Sequence, residues 1–156
     1  MALATTVEIL QAMAGQLEDS IQANTDFDVH IEPMWFPIAE MPAIDMFPTN
    51  PTGLEDGLAG FGSETRYGAV PIMIRARVGM ADGEAGQELL YGLMDEIGLL
   101  SIVAALDADR TLGGVCDSLT WGFGYPWAGV AAYLDANGDG TLAGSEMKIV
   151  VVKTQS

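Results

Sequence analysis

The chain has 156 residues and a formal charge of −16, from 22 acids against six bases. Hydrophobic residues make up 49% of it, which excludes a disordered chain and fits a single domain, 1–156, with a real core. So large an acid excess excludes a surface that grips DNA phosphates, and no apolar run is long enough to span a bilayer.

One cysteine, Cys116, excludes an internal disulfide. One histidine, His30, argues against a histidine-rich zinc or iron centre within a single chain. The first residues lack a basic region ahead of an apolar core, so no secretory leader is expected. The acid excess serves solubility, or it suits a surface that sits beside DNA without holding it. Charge alone leaves both readings open.

The first predicted element is a helix over 5–23. Val7, Leu10, Met13, Ala14, Leu17 and Ile21 recur at helical spacing, and Thr5 with Glu8 makes a capping box. Residues 27–32 alternate as a half-buried strand, with Phe27, Val29 and Ile31 on one face and Asp28, His30 and Glu32 on the other. His30 reads as a polar outward residue. Pro33, Pro37, Pro42, Pro48 and Pro51 then restrict the chain to short or edge strands, of which 43–47 is the best candidate. Met34, Trp35, Phe36, Met41, Met46 and Phe47 divide between core and a subunit contact, where such side chains are enriched. Residues 48–65 are rich in glycine, proline and acids, with Leu54, Leu58 and Phe61 among them. They read as a protruding arm ordered by a partner, or as a surface loop.

Residues 66–106 are the packing unit on which the rest is built. Val70, Ile72, Ile74, Ala76 and Val78 fall on one side of a long strand, and Met73, Arg75 and Arg77 on the other. Pro71 suggests an edge position at that residue. Gly79 breaks the strand, Asp82 can cap the next helix and Glu84 favours its first turn. Leu89, Leu90, Leu93, Met94, Ile97 and Leu100 recur at helical spacing, with Gly98 expected to bend or end the helix. After a turn over 107–114, Val115, Leu119, Trp121 and Phe123 alternate as a strand. Strands over 127–134 and 147–154 form a C-terminal β-hairpin. The expected fold class is α+β, a mostly antiparallel sheet packed against two helices, with a long loop between strands.

One motif carries chemistry. Residues 135–146 fit the twelve-residue calcium loop, with side-chain oxygens from Asp135, Asn137 and Asp139, the carbonyl of Thr141 and a closing Glu146. Gly140 allows the sharp turn. The flanks are β-rich where such loops are flanked by helices, and no second loop is present. A bound Ca2+ would be structural, pinning the hairpin against three crowded acids. The other reading is a hairpin tip that uses Asn-Gly and Asp-Gly because they tolerate positive φ. No nucleophile motif, phosphate loop or dinucleotide fingerprint is present, so no enzymatic activity is expected.

The order and lengths of these pieces resemble the tail terminator (tail completion) proteins of long-tailed phages and of phage-derived gene transfer agents. The likeness rests on the helix over 5–23, the strand over 27–32, the long loop and the run Val70-Pro-Ile-Met-Ile-Arg-Ala-Arg-Val-Gly79 feeding a helix, then the closing strands. It implies a structural virion protein, made in the host cytoplasm, that forms a hexameric ring on the head-proximal end of the tail. The implied partners are the tail tube protein and a head-closure or connector protein, with DNA passing through the lumen and no membrane. The loop 135–146 is outside the common pattern. Two rivals stand beside this reading: another head–tail connector, head-closure or tail tube component, and a stand-alone calcium-binding module.

Overall fold

The computed structural model of the protein describes residues 4–34, 40–49, 67–121, 126–134 and 141–154. Helix α1 (Thr6–Ile21) starts with the expected capping box: Glu8 N donates to Thr5 Oγ1 at 3.2 Å, and Thr5 N donates to the Glu8 carboxylate at 3.0 Å. Its buried arc is Ile9, Leu10, Met13, Ala14, Leu17 and Ile21. Val7 falls at the margin of that arc, in the first turn, and stays 45% exposed.

A 3-10 turn, Gln22–Asn24, ends the helix. The next strand, β1 (His30–Glu32), is shorter than the expected 27–32. The Gln22 side chain explains the difference. Its Nε2 donates to Phe27 O and its Oε1 accepts from Val29 N, so those backbone groups are satisfied without a neighbouring strand. Phe27 and Val29 still face the core, as their alternation required.

Five more strands follow: β2 (Ala43–Pro48), β3 (Tyr67–Gly79), β4 (Ser118–Thr120), β5 (Ala131–Leu134) and β6 (Thr141–Thr154). The sheet order is β1-β2-β3-β6-β4, with β5 also on β6. Only β1 and β2 run parallel; β3 and β6 form a thirteen-residue antiparallel ladder at the centre. Pro71 sits within that inner strand without breaking it. Its carbonyl accepts from Thr49 N, just past the last β2–β3 pair, Pro48 with Ile72. A strand residue's nitrogen points to the same side as its carbonyl, so Pro71 lacks its donor where the β2 ladder ends.

Helix α2 (Gly83–Met94) begins one residue after Asp82. Its Leu89, Leu90, Leu93 and Met94 are buried, but the continuation through Ile97 is not helical, and a separate helix α3 (Ile102–Asp107) follows. The sheet therefore packs against three helices where two were expected. Gly98 adopts φ +109, which an α-helix cannot absorb, and Ser101 Oγ accepts from Ala104 N to start α3. At the far end of α3, Gln16 of α1 donates through Nε2 to the carbonyls of Ala105 and Leu106, groups a helix terminus leaves without partners, and to that of Asp109 just beyond.

One face of the sheet meets all three helices. Ile44 and Met46 of β2, Ile72, Ile74, Ala76 and Val78 of β3, and Met147, Ile149 and Val151 of β6 join the helical side chains in one cluster. The β3 side that alternation assigned to the core is the side that lies there.

Candidate functional site

The C-terminal hairpin is present, but its tip is shorter than expected. Strand β6 begins at Thr141, and Leu134 pairs with Thr141 across it. Thr141 and Glu146 therefore lie on one extended strand. Five residues of strand separate them by roughly 17 Å, and Glu146 stands opposite Arg75. Thr141 and Glu146 are the described residues of the calcium pattern's ligand set. Asp135, Asn137 and Asp139 lie outside the described residues. Among the described residues no cluster of three or more His, Cys, Asp and Glu is arranged to hold a metal.

The sheet face turned away from the helices carries a charged row. Asp45, Arg75 and Glu146 are register partners across β2, β3 and β6, and the next row is Ala43, Arg77 and Gly144. Arg75 grips Asp45 with two bonds, Nε to Oδ1 at 3.0 Å and Nη2 to Oδ2 at 2.5 Å, and its guanidinium lies 5.5 Å from the Phe47 ring centre. Arg77 Nη2 reaches the same Oδ2 at 3.4 Å. The Asp45 side chain is fully buried. Burial pulls the Arg77 pKa down, and the Asp45 carboxylate opposes that pull. Burial also pushes the Tyr133 phenol up, with Glu146 adding to it. Gly144 makes this packing possible: a Cβ there would lie 2.6 Å from Ala76 O and 2.9 Å from both Arg77 Cγ and Tyr133 Cε2.

This arrangement engages two of the six bases with one acid inside the fold. It builds the sheet and leaves those arginines unsuited to gripping phosphate. Sequence reading placed both arginines on the polar side of β3 but did not find the carboxylate they hold. The signal was there: Asp45 is the single acid of the strand candidate 43–47, and two arginines at alternate positions of an inner strand need an acceptor.

At one outer edge of the sheet lies an apolar groove of about 300 Å³. Met80, Gln87 and Tyr91 line one side, and Val130, Ala131 and Ala132 the other. Met80, Tyr91 and Val130 are each about half exposed, and among the described residues β5 pairs only with β6. Residues 118–134 contain no charged side chain, in a chain otherwise crowded with acids. The proline-rich segment expected to form part of a subunit contact is split. Met46 is fully buried, Met34 is 49% exposed, and Trp35 and Phe36 lie outside the described residues. The proposed arm 48–65 also lies outside them beyond Thr49.

His30 is partly exposed, with Nε2 3.5 Å from Glu40 and 3.7 Å from Asp28. Cys116 is buried, and burial pushes its thiol up to about 11, which suppresses the reactive thiolate. No helix among the described residues is long and apolar enough to cross a membrane. Set against known proteins, the chain matches no family model and no curated relative.

Proposed function

We propose that this chain is a structural assembly protein of the tail-terminator kind. Copies close into a hexameric ring on the head-proximal end of a tail tube and join it to a head connector, with no bond-making step. The observation that carries this reading is the uncharged, half-exposed edge at β5 with its apolar groove, on a chain of formal charge −16. Monomers expose such a patch when something else covers it, and a strand edge without charged guards is suited to pairing with another chain. The order of helices and strands that prompted the resemblance supports the same reading. A ring wall dense in carboxylates would let DNA slide past without adhering. Calcium, if held at the hairpin tip by Asp135, Asn137 and Asp139, has a structural part in this scheme.

The test is native mass spectrometry with negative-stain microscopy, on the chain alone and mixed with its tube protein. Rings of six are expected, and Val130→Asp with Ala132→Asp should reduce them to monomers that remain folded. A chain that stays monomeric in both conditions overturns the proposal.

A further inference from the structure

The turn between α2 and α3 holds two large apolar side chains out in water: Ile97 is 81% exposed and Leu99 72%. The turn is built to present them. Asp95 N donates to Gly92 O, Ser101 N donates to Gly98 O, and Ser101 Oγ donates to Asp95 O at 2.5 Å. Gly98 supplies the φ of +109 that reverses the chain. Leu100 folds back on Gly92, where a Cβ would come within 3.1 Å of its Cδ1. The core thus takes Leu100, and its apolar neighbours are left outside on a hydrogen-bonded frame. Scattered exposed leucines need no explanation, but a pinned pair at a reversal presents a small, rigid apolar knob.

The knob has a one-sided electrostatic rim. Glu88, Asp95 and Glu96 are exposed around it. The two shallow grooves beside it are lined by Asn24, Thr25, Glu88 and Asp95 together with apolar atoms, and by no lysine or arginine. The described bases are engaged elsewhere. Arg75 and Arg77 hold Asp45, Arg110 lies on Trp121 beside Asp107, Lys153 donates to Ala4 O, and Lys148 sits in β6.

We propose that residues 95–99 form a docking knob for a protein partner that presents an apolar pocket rimmed by lysine or arginine. Charge complementarity selects this occupant. A second copy offering the same face would bring another acidic rim, and nucleic acids and anionic bilayers are repelled by the same field. The apolar pair supplies the anchor, and the acids orient the approach. This inference concerns a surface separate from the β5 edge and stands whether or not the chain forms a ring.

The test uses the full chain, isotope-labelled for amide NMR and titrated with two synthetic amphipathic peptides, one of leucine and lysine and one of leucine and glutamate. The leucine–lysine peptide should shift the amides of 95–100 first, and the leucine–glutamate peptide should not bind. Ile97→Ser with Leu99→Ser should weaken binding by roughly a hundredfold, since each side chain contributes on the order of one decade. Asp95→Asn with Glu96→Gln should weaken it at low salt and less at high salt. Val7→Ser, a loss of exposed apolar surface on α1, should change nothing. Thermal melts of each variant, with the single substitution Ile97→Ser as a milder form, establish that folding is kept. Absent binding overturns the proposal, as do shifts spread over the acidic surface that persist in the serine variant. Concentration-dependent shifts at 95–100 without any peptide overturn it in favour of a second copy.

Discussion

Replacing Asp45 by alanine tests the account of the charged sheet face most directly. The carboxylate side chain is fully buried, and the guanidinium groups it bridges belong to side chains only 14% and 5% exposed, those of Arg75 and Arg77. The substitution removes the three hydrogen bonds from the arginines and leaves two like charges side by side in a poorly solvated place. Breaking a buried ion pair from one side costs about 3–5 kcal/mol, most of it the uncompensated charge that remains. Burial already pulls the Arg77 pKa down with Asp45 present, and losing the carboxylate removes the largest opposing influence. For a chain of this size a destabilisation of that order lowers Tm by roughly 10–15 °C. Urea unfolding followed by circular dichroism measures it. Asp45→Asn should lose most of the same stability, because shape is kept and charge is not. The triple substitution Asp45→Leu, Arg75→Met, Arg77→Met should restore most of it, because an apolar set of similar volume removes the desolvation cost. A loss below about 1 kcal/mol for Asp45→Ala, at an unchanged denaturant slope, would refute the reasoning.

Gly144→Ala should destabilise by about 1–3 kcal/mol, since the added carbon meets backbone oxygen at 2.6 Å and has no space to relax into; the same urea experiment reads it. Cys116 should react with a neutral-pH thiol reagent only as fast as the chain opens, because its thiol is buried and held near 11, and mild urea should accelerate the labelling. Glu146→Gln should leave any rise of Tm in millimolar calcium unaltered, because Glu146 stands in a strand opposite Arg75; a lost response would mean that the strand refolds around the ion.

Where the sequence spoke clearly, it spoke through period and caps. The helical face of α1, its capping box and the core side of β3 follow from side chains whose spacing has one inexpensive arrangement. The break after Met94 was harder to place. Gly98 marked it, but Ile97 and Leu100 keep helical spacing through it, and only the Ser101 bonds to Asp95 and Ala104 decide where the chain turns. The short β1 was hidden for a similar reason: a glutamine five residues upstream takes the backbone groups that alternation would have given to a neighbour. The charged row could not be read in full because it joins residues 30 and 32 positions apart, and pairing at that range depends on register. The calcium pattern spans two kinds of ground. Its spacing is read along the chain, and Thr141–Glu146 also belongs to an extended ladder, which a local template cannot foresee.

The innermost position of β6 sets a timetable for the molecule. Its partners on β3 lie 63 to 87 residues upstream, so half of the central ladder waits, unpaired on one side, until the other half leaves the ribosome. A nascent chain cut short before residue 141 would lack the strand to which β3, β4 and β5 all bind, and would keep only the β1-β2-β3 part of the sheet. The order of synthesis thus makes the last-made strand the keystone: the sheet is completed only when the chain is.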